Sequence, residues 1–259
     1  MVSMETCRKF LEAGPWGEWL KQDTDQRKKV PPPPLQKPYP EDAKLIDLVA
    51  PQDLTVGKMS LMEAINRRKS HRKYTAEALT LEELSFLLWA AQGVQEIAKK
   101  GDATRRTVPS GGSRHPFELY LVVNRVIGLE PGLYRYLPLD HKLCFLWADS
   151  ELSNKVTKAC RKQAFVGKGA LVFIWTTLPY RAEWRYTIVA HKMIAMDAGH
   201  SCQNLYLAGE AIGAGICAIG AYNQEELDDL LKVDGTEEFA IYAGVVGKIK
   251  TKNMLLACH

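Results

Sequence analysis

The 259-residue chain is 46% hydrophobic and 25% charged, with a formal net charge of +4. That is enough chain for a substantial core, and the balance excludes wholesale disorder. A charge this mild suits an anionic ligand such as a phosphate and argues against a nucleic-acid partner.

The N-terminus, MVSMETCRKFLEAGPWGEWLKQ, has no continuous apolar stretch ahead of a small-residue cleavage site, and nowhere do about 18 uncharged apolar residues run together. No membrane association and a cytoplasmic location are therefore expected. The six cysteines, Cys7, Cys144, Cys160, Cys202, Cys217 and Cys258, show no C-x-x-C or metal-ligand spacing and suit a reduced compartment. His191 and His200 stand nine apart, the wrong spacing for two ligands on one helix face, so no metal site is expected.

Residues 1–50 differ in composition from the rest. The stretch QDTDQRKKVPPPPLQKPYPED carries charges, four consecutive prolines and then two more, which predicts an extended, polyproline-II-like N-terminal arm ahead of a single domain over 51–259. Such an arm is either a solvated tail or a strap along a partner subunit, anchored by Trp16, Trp19 and AKLIDLVAP.

Three helix starts carry the capping-box pattern, in which an N-cap side chain and a Glu three residues on satisfy free amides: Ser60 with Glu63, Thr80 with Glu83, and Asn223 with Glu226. The second opens TLEELSFLLWAAQGV, with Leu84, Leu87, Leu88 and Ala91 at helical spacing and Gly93 as the stop. Just after the first, Arg67, Arg68, Lys69, Arg72 and Lys73 crowd around Ser70. Guanidiniums grip phosphate bidentately, so this is a candidate anion grip; the alternative is a solvated basic face.

Next comes TVPSGGSRHPFELYLVV. Its Pro-Ser-Gly-Gly-Ser run lets backbone amides turn toward a ligand and is equally the composition of an ordinary turn, while FELYLVV reads as a strand. Further strands are expected in the hairpin GLYRYLPLDHKLCFLW, turning near Asp140, and in GALVFIWTT and EFAIYAGVVG. Between the last two, WRYTIVAHKMIAMDAGHSCQNLYLAGEAIGAG is apolar around nearly its whole circumference and predicts one long buried helix, central or at a subunit interface. Asp197 and His200, one turn apart on it, form either a catalytic pair or a hydrogen-bonded structural one. In EAIGAGICAIGAYNQEEL the glycines fail the G-x-G-x-x-G dinucleotide pattern; they mark a helix end and strand start, or expose amides to a flat ligand. Helices and strands mix without βαβ alternation, which favours an α+β fold.

Together, RKSHR, LTLEELSFLLWAAQGV, TVPSGGSRHPFELY, GLYRY and DAGHSCQNL, in that order, resemble the nitroreductase family of flavoproteins, in its SagB-type dehydrogenase branch. The resemblance covers about Val30 to Gly247. It implies a central, mainly antiparallel sheet flanked by helices in an intertwined homodimer, with FMN at the subunit interface and NAD(P)H as electron donor. Carried across by position, it implies FMN contacts from Arg68, Lys69, Ser70 and Arg72, with Lys69 in place of an arginine and so without the bidentate fork. Pro109, Ser110, Gly111 and Ser113 match a loop that reaches the flavin of the neighbouring subunit. Ile219 and Gly220 match the segment whose amides face the reactive ring, and Gln163 a polar contact at the ring edge. Lys248 and Lys250 fall where a C-terminal phosphate-binding cation is often found, a surface role being the alternative.

The activity implied is ping-pong hydride transfer from NAD(P)H to a small nitroaromatic or quinone-type acceptor, with no protein group named as catalytic. Two alternatives stand beside it: oxidation of a peptide azoline to an azole, and a flavin-storing dimer without turnover. Azole-forming relatives use a Lys-Tyr pair that aligns with Arg185-Tyr186, and an arginine is a poor general base.

Overall fold

The computed structural model describes residues 3–250. In chain order the elements are α1 (Met4–Leu11), α2 (Trp16–Trp19), β1 (Leu45–Asp47), α3 (Leu61–Arg67), α4 (Leu81–Gln92), β2 (Val94–Ile97), β3 (Thr104–Arg106), β4 (Phe117–Val123), β5 (Gly132–Leu137), β6 (Lys142–Trp147), α5 (Leu152–Ala159), β7 (Leu171–Thr177), α6 (Tyr180–Tyr186), α7 (Ala190–Ala211), β8 (Ala214–Ile219), α8 (Gln224–Leu231) and β9 (Phe239–Lys248). Seven strands form one sheet in the order β1-β6-β5-β4-β7-β9-β8, and every neighbouring pair in it is antiparallel. A separate two-stranded ribbon pairs β2 with β3.

The sheet is covered on both faces, which is why β4 and β7 are buried at every position. Side chains alternate along β4. Phe117, Leu119, Leu121 and Val123 pack with Leu84, Leu87 and Leu88 of α4 and Ile194, Cys202 and Leu205 of α7. Tyr120 and Val122 pack on the other face with Leu152 and Val156 of α5 and Leu227 and Leu230 of α8. Each fully buried leucine contributes about 1.5–3 kcal/mol. All three expected N-caps are present, and Thr80 with Glu83 completes a reciprocal capping box.

Two expectations change. The single long helix is broken: Thr187, at φ 43 and ψ −122, ends α6, and a short 3-10 turn over Thr187–Val189 leads into α7. On α7, Ala190, Ile194, Ala198, Cys202 and Leu205 form the buried stripe, while His191, Ala195, Met196, Gly199, His200 and Gln203 are exposed.

The N-terminal fifty residues are not extended throughout, since α1 and α2 precede the prolines. The proline-rich stretch itself is irregular and lies on its own chain. Leu35 and Pro38 offer carbonyls to Arg106 Nη2 at 3.1 Å and Arg135 Nη2 at 2.8 Å, and the Lys37 amide donates to Glu118 at 2.8 Å. Beneath it Arg181 pairs with Glu118 at 2.6 Å, both buried. Among the described residues no helix is long and apolar enough to cross a membrane, and no cluster of three metal-ligating side chains forms.

Candidate active site

The sheet ends at β8, which has β9 on one side only. An open strand edge presents amides and carbonyls that need partners. The segment after α3 supplies some of them: Ser70 bridges Ile216, and the His71 amide donates to the Ile216 carbonyl at 2.8 Å. Two residues along, the Ala218 amide donates to the Tyr206 hydroxyl at 2.8 Å, and that hydroxyl lies 2.9 Å from Ser70 Oγ. Two residues further, the Gly220 amide has no hydrogen-bond partner among the described residues, and a β-carbon there would meet nothing within 4 Å.

Basic side chains gather beside this edge. The Arg68 guanidinium sits 5.4 Å from the Tyr206 ring centroid, and that of Arg72 sits 5.8 Å from the ring of Phe165. Among the described residues none of Arg68, Lys69 and Arg72 forms an ion pair, whereas neighbouring Arg67 pairs with Glu63 at 3.0 Å. His71 turns instead to the buried Glu210, 3.6 Å away; burial lowers its pKa, Glu210 opposes that, and nearby Lys69 adds to it. Gln163 Nε2 donates to the carbonyls of Cys160 at 3.0 Å and Ala221 at 3.2 Å, so it holds the turn that follows Gly220. The Ile219 side chain is buried in the core under α5 and α8, and what its position contributes outward is the placement of Gly220.

The glycine loop forms a second cluster. Asp197 on α7 accepts from the Gly111 amide at 3.0 Å, and Ser110 Oγ accepts from the His115 amide at 2.9 Å. Burial raises the Asp197 pKa, while the Ser110 hydroxyl, the Gly111 amide and His200, 3.7 Å away, oppose that shift. Asp197 is thus a structural residue that fixes the loop, with His200 as an outer partner. Gly112 is left-handed at φ 58, and a β-carbon there would lie 2.5 Å from Tyr186 Oη, so both conformation and space call for glycine. Ser113 is also left-handed at φ 55, and Pro109 is exposed.

Of the expected site residues, the fold brings Arg68, Lys69, Ser70, Arg72, Gln163, Ile219 and Gly220 to the β8 edge. Pro109, Ser110, Gly111 and Ser113 stand apart: the anchors of the two clusters on α7, Asp197 and Tyr206, are nine residues apart, about 13 Å of helix. Lys248 does not join either. Its ammonium is largely buried, pairs with Glu83 and donates to the Ile212 carbonyl at 3.1 Å, which makes it a structural cation and corrects the phosphate-binding expectation. Lys250 is exposed two residues beyond β9. Tyr206 and Phe165 were not singled out by sequence, and of the two readings open for Asp197 with His200 the structure takes the hydrogen-bonded structural one; Tyr206 lies inside an apolar helix pattern, where a polar side chain gives no sign of what it faces.

The sequence pattern of the nitroreductase family matches residues 65–248. A protein of Methanocaldococcus jannaschii that carries the nitroreductase name is 31% identical over 193 residues, covering 74% of this chain and 93% of that protein. The trifolitoxin-processing protein TfxB of Rhizobium leguminosarum bv. trifolii is 29% identical over 179 residues, 65% of this chain, and the chain spans 47% of its length. A crystal structure of a nitroreductase-named protein from Ralstonia eutropha superposes with a TM-score of 0.66 at 26% identity, covering 86% of this chain and 96% of that one. The family match takes in the β8 edge, the basic segment and the glycine loop together, and the chain belongs to the nitroreductase family of FMN-dependent oxidoreductases.

Proposed function

We propose that the chain binds FMN at the β8 edge and works as an NAD(P)H-dependent reductase of small nitroaromatic or quinone-type acceptors. The observation that carries this is the unpartnered amide of Gly220, a residue with open space at its β-carbon, beside cations that no carboxylate neutralises among the described residues. A flat, anionic group fits that combination. Arg68 and Ser70 would grip its phosphate or ribityl oxygens, and Arg72 would hold a positive charge near the ring that gains electrons. Tyr206 keeps Ser70 and Ala218 in register and so sets where the Gly220 amide points. Bound FMN supplies the two-electron hydride exchange; the protein supplies position, donors and field.

The glycine loop serves the second site of a homodimer. Its separation from the basic segment along α7 argues for this, and so do Leu61, Met62 and Ile65 on α3 and Met196 on α7, each about half exposed or more. Apolar side chains concentrated on packed neighbouring helices suit a subunit interface. The relationship to a trifolitoxin-processing protein favours a second reading, oxidation of a heterocycle in a peptide, against which Arg185 stands in place of a proton-accepting lysine.

Purified protein should release one FMN per chain on heating and scatter light as a dimer. A colourless monomer that takes up no added FMN would refute both the cofactor and the shared site.

A further inference from the structure

Residues 16–30, ahead of the family pattern, are fastened to α6 along their length. The Trp19 indole donates to the Arg185 carbonyl at 3.1 Å, the Gln26 amide to the Trp184 carbonyl at 3.0 Å, and the Trp184 indole to the Val30 carbonyl at 2.9 Å. This attachment builds an aromatic wall. Trp19 lies against Tyr186 with centroids 5.9 Å apart and planes tilted 31°, and Trp16 meets both edge-on at 5.4 and 6.3 Å. Trp16 is 40% exposed, so the wall keeps an open side.

Two polar groups stand unused beside it. The Arg185 guanidinium lies 5.2 Å over the Tyr186 ring, and neither it nor the Tyr186 hydroxyl makes a hydrogen bond or ion pair among the described residues; both lie against Gly112 of the glycine loop. The cationic neighbour Arg114 is committed to the Arg181 and Asp102 carbonyls, so it adds field without competing for a ligand. A guanidinium and a hydroxyl without hydrogen-bond partners beside an aromatic wall make a receptor for an aromatic ring that carries an acidic group.

We propose that the N-terminal segment forms the acceptor subsite, with Trp16 and Trp19 backing Tyr186 against the acceptor ring and Arg185 and the Tyr186 hydroxyl binding its acidic substituent. This rests on the flavin reading above and narrows its substrate class to anionic planar aromatics.

The test uses flavin-loaded enzyme reduced with dithionite and mixed anaerobically with 4-nitrobenzoate or 4-nitrobenzamide, which share a ring and nitro group and differ in charge. The apparent dissociation constant from reoxidation, or from flavin absorbance changes of the oxidised enzyme if reoxidation is slow, should favour the benzoate about tenfold, the scale of one charge-assisted hydrogen bond. Arg185→Gln should bring the ratio to about one, and Trp16→Ala should weaken both compounds alike, with FMN content unchanged in each variant. A wild-type ratio near one, or a preference that survives Arg185→Gln, overturns the proposal. Protein that holds no FMN would instead refute the flavin reading.

Discussion

His115 should make this protein acid-labile in a way one substitution can isolate. The ring is 3% exposed, and burial together with the Arg106 and Arg114 cations pushes its pKa down to about 3, against a weaker opposing hydrogen bond to the Thr104 backbone. Unfolded chains take up a proton near pH 6.5 that folded ones refuse, so the stability held by the neutral ring is complete above pH 6.5 and falls as the pH drops toward 3. From pH 6.5, where the unfolded ring is half protonated, to pH 4.5 the loss is about 2 kcal/mol, the slope approaching about 1.4 kcal/mol per unit only below pH 6. Asn is the fitting replacement, because His115 sits at φ 43, a conformation Asn tolerates. Urea unfolding at pH 7.5, 6.5, 5.5 and 4.5 should show wild type losing about 2 kcal/mol more than His115→Asn between pH 6.5 and 4.5, whatever their difference at pH 7.5. Parallel curves would refute the buried neutral imidazole. The His115 amide holds Ser110, so flavin should also be released along the same acid limb.

Tyr206→Phe removes the acceptor of the Ala218 amide and the partner of Ser70, and should cost about 1–3 kcal/mol in denaturant unfolding while weakening FMN binding in a fluorescence titration. Lys248→Met breaks a largely buried pair with Glu83 and should cost about 3 kcal/mol of stability with FMN affinity unchanged; a weakened flavin at unchanged stability would return Lys248 to the phosphate site. Gly112→Ala should cost about 1–2 kcal/mol from backbone handedness alone. Because its β-carbon would displace the Tyr186 hydroxyl, it should also perturb tyrosine and tryptophan fluorescence, and an unchanged spectrum would dissociate the loop from Tyr186.

The elements that sequence made legible are those fixed by local chemistry. Ser60, Thr80 and Asn223 cap their helices because a side-chain oxygen three residues before an amide is a local fact, and β4 and β7 follow from unbroken apolar runs. The break at Thr187 was hidden because apolar residues continue across it and neither glycine nor proline marks it. Lys248 looked like a free cation because its partner Glu83 lies 165 residues away in the chain. The basic segment and Gly220 could be grouped only by resemblance, since what unites them is a sheet edge formed by strands distant in sequence.

The proline-rich stretch has a consequence for how the N-terminus tolerates change. Proline has no amide hydrogen, so a ribbon rich in it presents mainly acceptors, and the body answers with Arg106 and Arg135, side chains that only donate. Both contacts read the carbonyls of Leu35 and Pro38, not the side chains those residues carry. At Leu35 and Pro38, substitutions that preserve an extended backbone should therefore pass almost unnoticed, whereas deleting a single residue between them would cost one guanidinium its carbonyl. At those two positions spacing, more than residue identity, is what must be preserved, while Gln36 and Lys37 between them are held through their side chains, to Asp140 and Glu238.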